Sequence, residues 1–420
     1  AASDVYKRQI QKSNMRDRVI FHIDVNSAFL SWEAVERLKH GEEVDLRQIP
    51  SAVGGDIATR HGIILAKSIP AKKYNITTAE PVVDALRKCP DLVLVPPRHE
   101  LYRRYSKAFI EILRQYSDTI EQFSVDEAFV DMTGTTRLFG EPVEAANRIR
   151  NRVRNELGFT VNVGVSSNKV LAKMASDFKK PDMVHTLFPE EIEKKMWPLP
   201  VGDLFFAGKA AVERLNKLGI FTIGDLAESD RGLISNVLKK HGDVLWRYAN
   251  GLDDSPVEPV RADNKGYGNS TTLPFDVTDE DTAKSILLRL SDKVGARLRN
   301  DGMKADTVTV QIKYNDLTRA SHQCSLYSAT NITQEIYEQA CKLFTEKWDG
   351  TPIRLLGVST KVASADGGRQ MSLFDNTDYE KLERLDKAMD SIKGKFGAGA
   401  IKRASALENN SRDIDRKAKS

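Results

Sequence analysis

Two adjacent carboxylates lie inside an apolar run of this chain, Ser124-Val125-Asp126-Glu127-Ala128, continued by Phe129-Val130-Asp131-Met132. No other feature restricts the possible folds as strongly. A desolvated carboxylate has to be paired or metal-bound, so the stretch reads as a strand with a tight turn at its start and a cation beside it. A second acid has similar company upstream, in Val19-Ile20-Phe21-His22-Ile23-Asp24-Val25. Three acids on two apolar strands point to a divalent-metal site.

The elements around these strands are legible from periodicity. A strand over residues 19–25 runs into a helix over 27–40. Residues 50–64 read as strand, Gly-rich turn and strand; 67–74 and 81–89 read as short helices, and 92–95 as a strand. Tyr102, Tyr105, Phe109, Ile112, Leu113 and Tyr116 recur near helical spacing over 101–116, which makes the tyrosines core residues and not base-stacking platforms. Strands over 120–123 and 128–132, a helix over 142–157, a β-branched strand over 160–165 and a helix after Ser167-Asn168-Lys169 complete the region. With residues 30–97 set aside, the order is strand, helix, strand, strand, helix, strand, the ferredoxin-like split βαβ pattern. Its antiparallel sheet brings the first strand beside the hairpin, so Asp24 meets Asp126 and Glu127.

Residues 199–252 read as helical. Gly208-Lys209 and Gly219-Ile220 flank a short helix, and Thr222-Ile223-Gly224-Asp225-Leu226 opens another, a pattern resembling a helix-hairpin-helix element whose turn amides bind phosphate. Residues 253–264, with two prolines and several charges, read as a linker. Residues 265–363 repeat the split pattern as a second small α+β domain, with Lys265, Lys313, Arg319 and Lys361 on its strands and strand ends. The tail, 364–420, holds Gln370-Met371-Ser372-Leu373-Phe374 and one charged helix over 379–393.

The chain's 420 residues suffice for two to four domains, and 63 Lys plus Arg against 59 Asp plus Glu leave a net charge of +4. That balance allows local basic surfaces without by itself indicating nucleic acid. No apolar run approaches the roughly 18 residues of a membrane span. Cys89, Cys324 and Cys341 lie in no ligand spacing and read as free thiols of a reducing cytoplasm. Residues 1–18 are polar and aperiodic and are expected to be a disordered leader. The expectation is a cytoplasmic protein without membrane contact.

The ordered set Asp24-Val25-Asn26-Ser27-Ala28-Phe29, Ser124-Val125-Asp126-Glu127-Ala128, Gly164-Val165-Ser166-Ser167-Asn168-Lys169 and Lys179-Lys180-Pro181 resembles the Y-family translesion DNA polymerases of the bacterial DNA polymerase IV type. The resemblance runs from about residue 19 to 374 in family order and spacing. It implies an α+β, multidomain right-hand polymerase: a ferredoxin-like βαββαβ palm (19–29 and 98–187), small fingers (30–97), a helical thumb (188–252) and a βαββαβ little finger (265–363). It implies that Asp24, Asp126 and Glu127, with the Val25 carbonyl, hold two Mg2+ ions. Phe29 falls at the steric-gate position, where a ring excludes a ribose 2′-OH. Lys180 and Lys72 fall where basic residues meet the incoming triphosphate. Gln370, Met371, Ser372, Leu373 and Phe374 resemble the sliding-clamp (β clamp) peptide, a polar Gln with apolar anchors. Primer-template DNA, dNTP and the clamp are then the partners of a monomer.

Several positions depart from the family pattern. Ala66 and Ile69 stand where Thr and Tyr are usual, Lys72 where Arg is usual, Asn26 where Asp is common, and Phe205-Phe206-Ala207-Gly208 replaces Gly-x-Gly. Two neutral phosphate donors are thereby lost, while Lys67, Lys72 and Lys73 add positive charge; an ammonium binds phosphate as a point charge without the guanidinium fork. A short fingers segment implies an open, low-fidelity pocket and distributive synthesis. A palm-type nucleotidyl cyclase shares the core and the acids but leaves the later domains unexplained. A non-catalytic DNA-binding or clamp-associated protein leaves the acids unexplained.

Overall fold

The computed structural model describes residues 18–56, 62–260, 263–363, 378–397 and 399–403. Most of the expected leader and the whole peptide Gln370 to Phe374 lie outside the described residues. The described residues 18–55 and 62–260 form one compact unit, and those of 263–403 a second.

At the centre of the first unit is a five-stranded sheet in the order β5-β6-β1-β7-β8: β1 (Ile20–Val25), β5 (Ile120–Gln122), β6 (Glu127–Asp131), β7 (Val161–Ser166) and β8 (Val184–Thr186). β1 pairs antiparallel with β6 and β7, and β5 with β6, which is the ferredoxin-like order; β8 adds a parallel edge. Every residue of β1 is buried, as a central strand covered on both faces requires. His22 and Asp24 share one face because side chains alternate along a strand. That face is covered by the helix Lys169–Asp177, whose Asn168 side chain caps it by accepting from Leu171 N at 2.9 Å. The helices Ala28–Lys39 (α1), His99–Leu113 and Pro142–Arg152 cover the opposite face, packing with Phe21, Ile23 and Val25, and Tyr102, Tyr105 and Tyr116 are buried in that core as expected.

Inserted after α1 is a three-stranded sheet in the order β3-β2-β4, made of β2 (Ser51–Gly54), β3 (Ile64–Lys67) and β4 (Val93–Val95). With the short helices Ile69–Lys72 (α2) and Val82–Lys88 it encloses a small core around Ile64, Ala71, Val82 and Ala85. The helices Lys209–Asn216, Ile223–Glu228, Arg231–Leu238 and Lys240–Ala249 form the expected helical region. Their core incorporates Leu171, Met174 and Ala175, so the Lys169–Asp177 helix serves the sheet with one face and the helical bundle with the other.

The expected linker is not free along its length. Asp253 accepts from Val170 N at 3.3 Å, Glu258 N donates to Glu121 at 2.9 Å, and Val257 is buried with Ile20, Phe129 and Ala172. An apolar residue between two anchored acids makes residues 253–258 a strap on the sheet.

The second unit carries β9 (Gly266–Val277), β10 (Ala305–Tyr314), β11 (Arg319–Thr330) and β12 (Ile353–Val362), with helices Glu280–Asn300 and Thr333–Lys347. The element order matches the expected βαββαβ. The strand order, β11-β10-β12-β9, does not repeat the first sheet. Here the last strand pairs with both the first strand and the first strand of the hairpin, whereas in the first unit β1 lies between β6 and β7. The charged helix Tyr379–Phe396 is docked within this unit through Arg299, which reaches Asp386 at 3.0 Å and Asp390 at 2.6 Å.

Candidate active site

The β5–β6 turn and the end of β1 build the acidic corner. Phe123 N and Ser124 N both donate to Glu127 O, at 3.0 and 3.2 Å, and Val25 N donates to Asp126 O at 3.0 Å. Asp24 and Glu127 are direct cross-strand partners. The Ser124 hydroxyl donates to Asp126 Oδ1 at 2.6 Å, fixing that carboxylate in the turn. Burial pushes the Asp126 carboxyl up, and the negative charges of Asp24 and Glu127 add to the effect against the Ser124 hydrogen bond.

Sequence reasoning did not single out the cation in this corner. Lys173, largely buried, lies 3.1 Å from Glu127, 3.7 Å from Asp24 and 3.3 Å from Asp177. His22 hydrogen-bonds Ser176 at 2.8 Å through Nδ1 and places Nε2 3.6 Å from Glu127. Burial holds the imidazole below its ordinary value. Burial alone would raise Glu127, but His22 and Lys173 overcome it and hold the carboxyl down at about 2. The signal available in sequence was helical spacing: Asn168 caps the helix that carries Lys173 and Ser176 over the β1 face.

Lys180 is paired with Asp24, and with Asp177 at 2.9 Å. Burial works to lower its ammonium, and the two carboxylates outweigh that and raise it. Asn26 organises the turn that delivers it: its Oδ1 accepts from Asp182 N at 3.0 Å and from Thr160 Oγ1 at 2.9 Å. Asn162, hydrogen-bonded to Asn26, donates to Lys179 O at 2.7 Å. The departure to Asn at position 26 thus has a structural use, since an amide donates to Asn162 as well as accepting.

A cavity of about 330 Å³ opens from the acidic corner, lined by Asp24, Val25, Asp126 and Glu127 on one side and by Lys67, Lys72 and Thr78 on the other. Phe29 lines it from the first turn of α1. Its ring stacks on Tyr102 at 4.4 Å and 10°, and Tyr102 is held in turn by Glu33 at 2.9 Å. Lys72 closes α2, whose Ser68 cap accepts from Ala71 N at 3.0 Å. The structure therefore brings Asp24, Val25, Phe29, Lys72, Asp126 and Glu127 to one cavity, whereas Lys180 is held on Asp24.

The donors are all oxygens, three carboxylates and a backbone carbonyl, which suits a hard divalent cation. Burial, with repulsion from Asp24 and Glu127 added to it, raises Asp126, and such an ion relieves both. Among the described residues no three His, Cys, Asp or Glu side chains converge on one ion position. Each carboxylate is instead drawn to an internal partner: Asp24 to Lys180, Asp126 to Ser124, Glu127 to Lys173.

A solved structure shares this fold. A Y-family DNA polymerase chimera, Dbh-Dpo4(243-245)-Dbh, matches with a TM-score of 0.72 at 23% identity, covering 82% of this chain and 98% of its own. The impB/mucB/samB family model matches residues 23–177, and the model of that family's C-terminal domain matches residues 264–373. DNA polymerase IV of Clostridium acetobutylicum is 46% identical over 391 residues, covering 93% of this chain and 98% of that protein. DNA polymerase IV 2 of Bacillus subtilis is 38% identical over 413 residues, covering 96% and 98%. The chain belongs to the impB/mucB/samB family of Y-family DNA polymerases, of the DNA polymerase IV type.

Proposed function

We propose that this DNA polymerase carries out low-fidelity, template-directed synthesis past lesions by two-metal nucleotidyl transfer at the cavity between β1, β6 and α2. The observation that carries the proposal is the shared lining: three carboxylates, two lysines and an aromatic ring meet at one cavity. As a Y-family polymerase the chain depends on divalent metal and acts on primer-template DNA and deoxynucleoside triphosphates. The finer assignment is two Mg2+ ions held by Asp24, Asp126, Glu127 and the Val25 carbonyl. Bound magnesium supplies Lewis-acid activation of the primer 3′-hydroxyl and neutralises charge on the pyrophosphate leaving group.

The chain's own groups supply the rest. Asp24, Asp126 and Glu127 orient oxygen donors into the cavity, and Ser124 and Lys173 restrict how far two of them move. Lys72 binds triphosphate oxygens from the fingers side. Lys180 exchanges its Asp24 partner for phosphate when the nucleotide enters, which frees that carboxylate as a ligand. Phe29, backed by Tyr102, fills the space beneath the sugar and excludes a 2′-hydroxyl.

The proposed domains are the palm, fingers, thumb, linker and little finger with the boundaries expected from the sequence, and the peptide Gln370 to Phe374 is the proposed anchor for a sliding clamp. We assign a monomer acting in the cytoplasm; no described helix is long and apolar enough to cross a membrane. Replacing Asp126 by Ala tests the site: primer extension should be lost while primer-template binding, measured by anisotropy, stays within about threefold. Substantial residual extension by Asp126→Ala refutes the assignment.

A further inference from the structure

One group on the fingers wall of the cavity has no part in the roles above. Lys67, the last residue of β3, lines the cavity together with Thr78, and its Nζ donates to Thr78 Oγ1 at 3.1 Å. The hydroxyl takes one of the three ammonium N–H groups, leaving two for a ligand. Burial lowers the Lys67 ammonium, and the positive charge of Lys72 lowers it further. Glu80 is the acid whose charge reaches it, but Glu80 is committed to Lys88 at 2.7 Å and Thr77 at 2.8 Å. Neither Lys67 nor Lys72 forms an ion pair among the described residues.

Two like charges on one wall of a half-closed cavity repel each other, and an anion entering between them removes that cost. Ala66 and Ile69, which flank Lys67 closely in sequence, bring no side-chain donor to this wall. Recognition of an anion here therefore falls to the ammonium groups. Across the cavity stand the carboxylates at which nucleotidyl transfer is proposed, so the anion that must lie between the two walls is the triphosphate of the incoming nucleotide.

We propose that Lys67 is a triphosphate-binding residue of this polymerase, and that Thr78 is the positioning residue that aims its ammonium. The inference rests on the nucleotide site proposed above and deepens it. It gives the chain a Lys–Thr pair in place of the two neutral donors that Ala66 and Ile69 lack.

Single-nucleotide insertion by the full chain on an undamaged primer-template tests it, with three readouts: KM and kcat for dNTP, inhibition by inorganic pyrophosphate, and primer-template Kd over a salt series. Lys67→Ala and the closer isostere Lys67→Gln should each raise the dNTP KM and the pyrophosphate inhibition constant about tenfold, the value of one charge-assisted hydrogen bond. In both variants kcat should stay within about threefold and DNA affinity should not change. Thr78→Val should raise KM about two- to fourfold with kcat retained, and Thr78→Ser should restore it. Unchanged KM and pyrophosphate inhibition in the Lys67 variants overturn the inference. A weakened DNA Kd with a shallower salt slope overturns it as well, because Lys67 would then contact a strand phosphate. Asp126→Ala measured in parallel separates the two levels. Residual extension there refutes the site itself, whereas lost extension there with wild-type KM in Lys67→Ala refutes only the role of Lys67.

Discussion

Gly164→Ala should loosen the acidic corner from a distance, by lifting the helix that carries Lys173. Gly164 lies in the middle of β7, opposite His22 of β1, and the Lys169–Asp177 helix presses on it directly. A Cβ at this position would stand 1.9 Å from Ala172 O and 2.5 Å from Ser176 N. Both are backbone atoms, so no side-chain rotation relieves the overlap. Reaching ordinary contact of about 3.5 Å requires the helix to move by more than about 1 Å. Overpacking of this kind costs about 1–3 kcal/mol, and the backbone clash places this case at about 3. For a unit of this size that lowers Tm by roughly 6–12 °C. The same shift carries Lys173 away from Asp24 and Glu127 and Ser176 away from His22, so extension should fall and its magnesium requirement should rise. Calorimetry together with primer extension across a magnesium titration reads both effects. A variant within about 2 °C of wild type with an unchanged magnesium dependence would show that β7 and the helix are not in the close contact described.

Two further outcomes follow from the site. Phe29→Ala removes the ring stacked on Tyr102 and should raise ribonucleotide insertion relative to deoxynucleotide insertion by about 10–100-fold; unchanged sugar selectivity in competing-nucleotide assays assigns the discrimination to another side chain. Glu127 is held at about 2, below its ordinary 4.5, so its ionised form stabilises the fold above pH 4.5 and that contribution is lost as pH falls through about 2. In metal-free protein the Tm advantage of wild type over Glu127→Gln should therefore be full at neutral pH and shrink between those two values. A gap that stays constant down to pH 2 contradicts the ion pairing with Lys173.

The parts of the site legible in the chain are those carried by short segments. Apolar alternation around Asp24 and around Asp126-Glu127 marked two half-buried strands, and the split order of elements placed them side by side, as their register now shows. The tyrosines at helical spacing were legible as core for the same reason. Lys173 was not, because the spacing from the Asn168 cap places it on one helix face with Ser176 but does not say that this face meets β1. The pairing of Lys180 with Asp24 was not legible either, because the two residues meet only through the fold; a nearby carboxylate stabilises a half-buried ammonium. Thr78 was missed because its relation to Lys67 depends on how residues 68–77 fold back.

What the sequence by itself determined is the material of the enzyme: which residues are buried on strands and helices, that three acids require a cation, and which ordered motifs define the family. Those properties follow from local periodicity and from the cost of burying charge, and both act over a few residues. Only the tertiary structure decided how the pieces meet. The same βαββαβ order yields two different strand orders in the two units, because pairing depends on which edges the connections can reach. Asp24 takes its partner 156 residues away at Lys180, and Glu127 is held down by a lysine 46 residues on. Charge pairs at that separation are set by packing, and packing is where Asp24 and Glu127 acquire their cations.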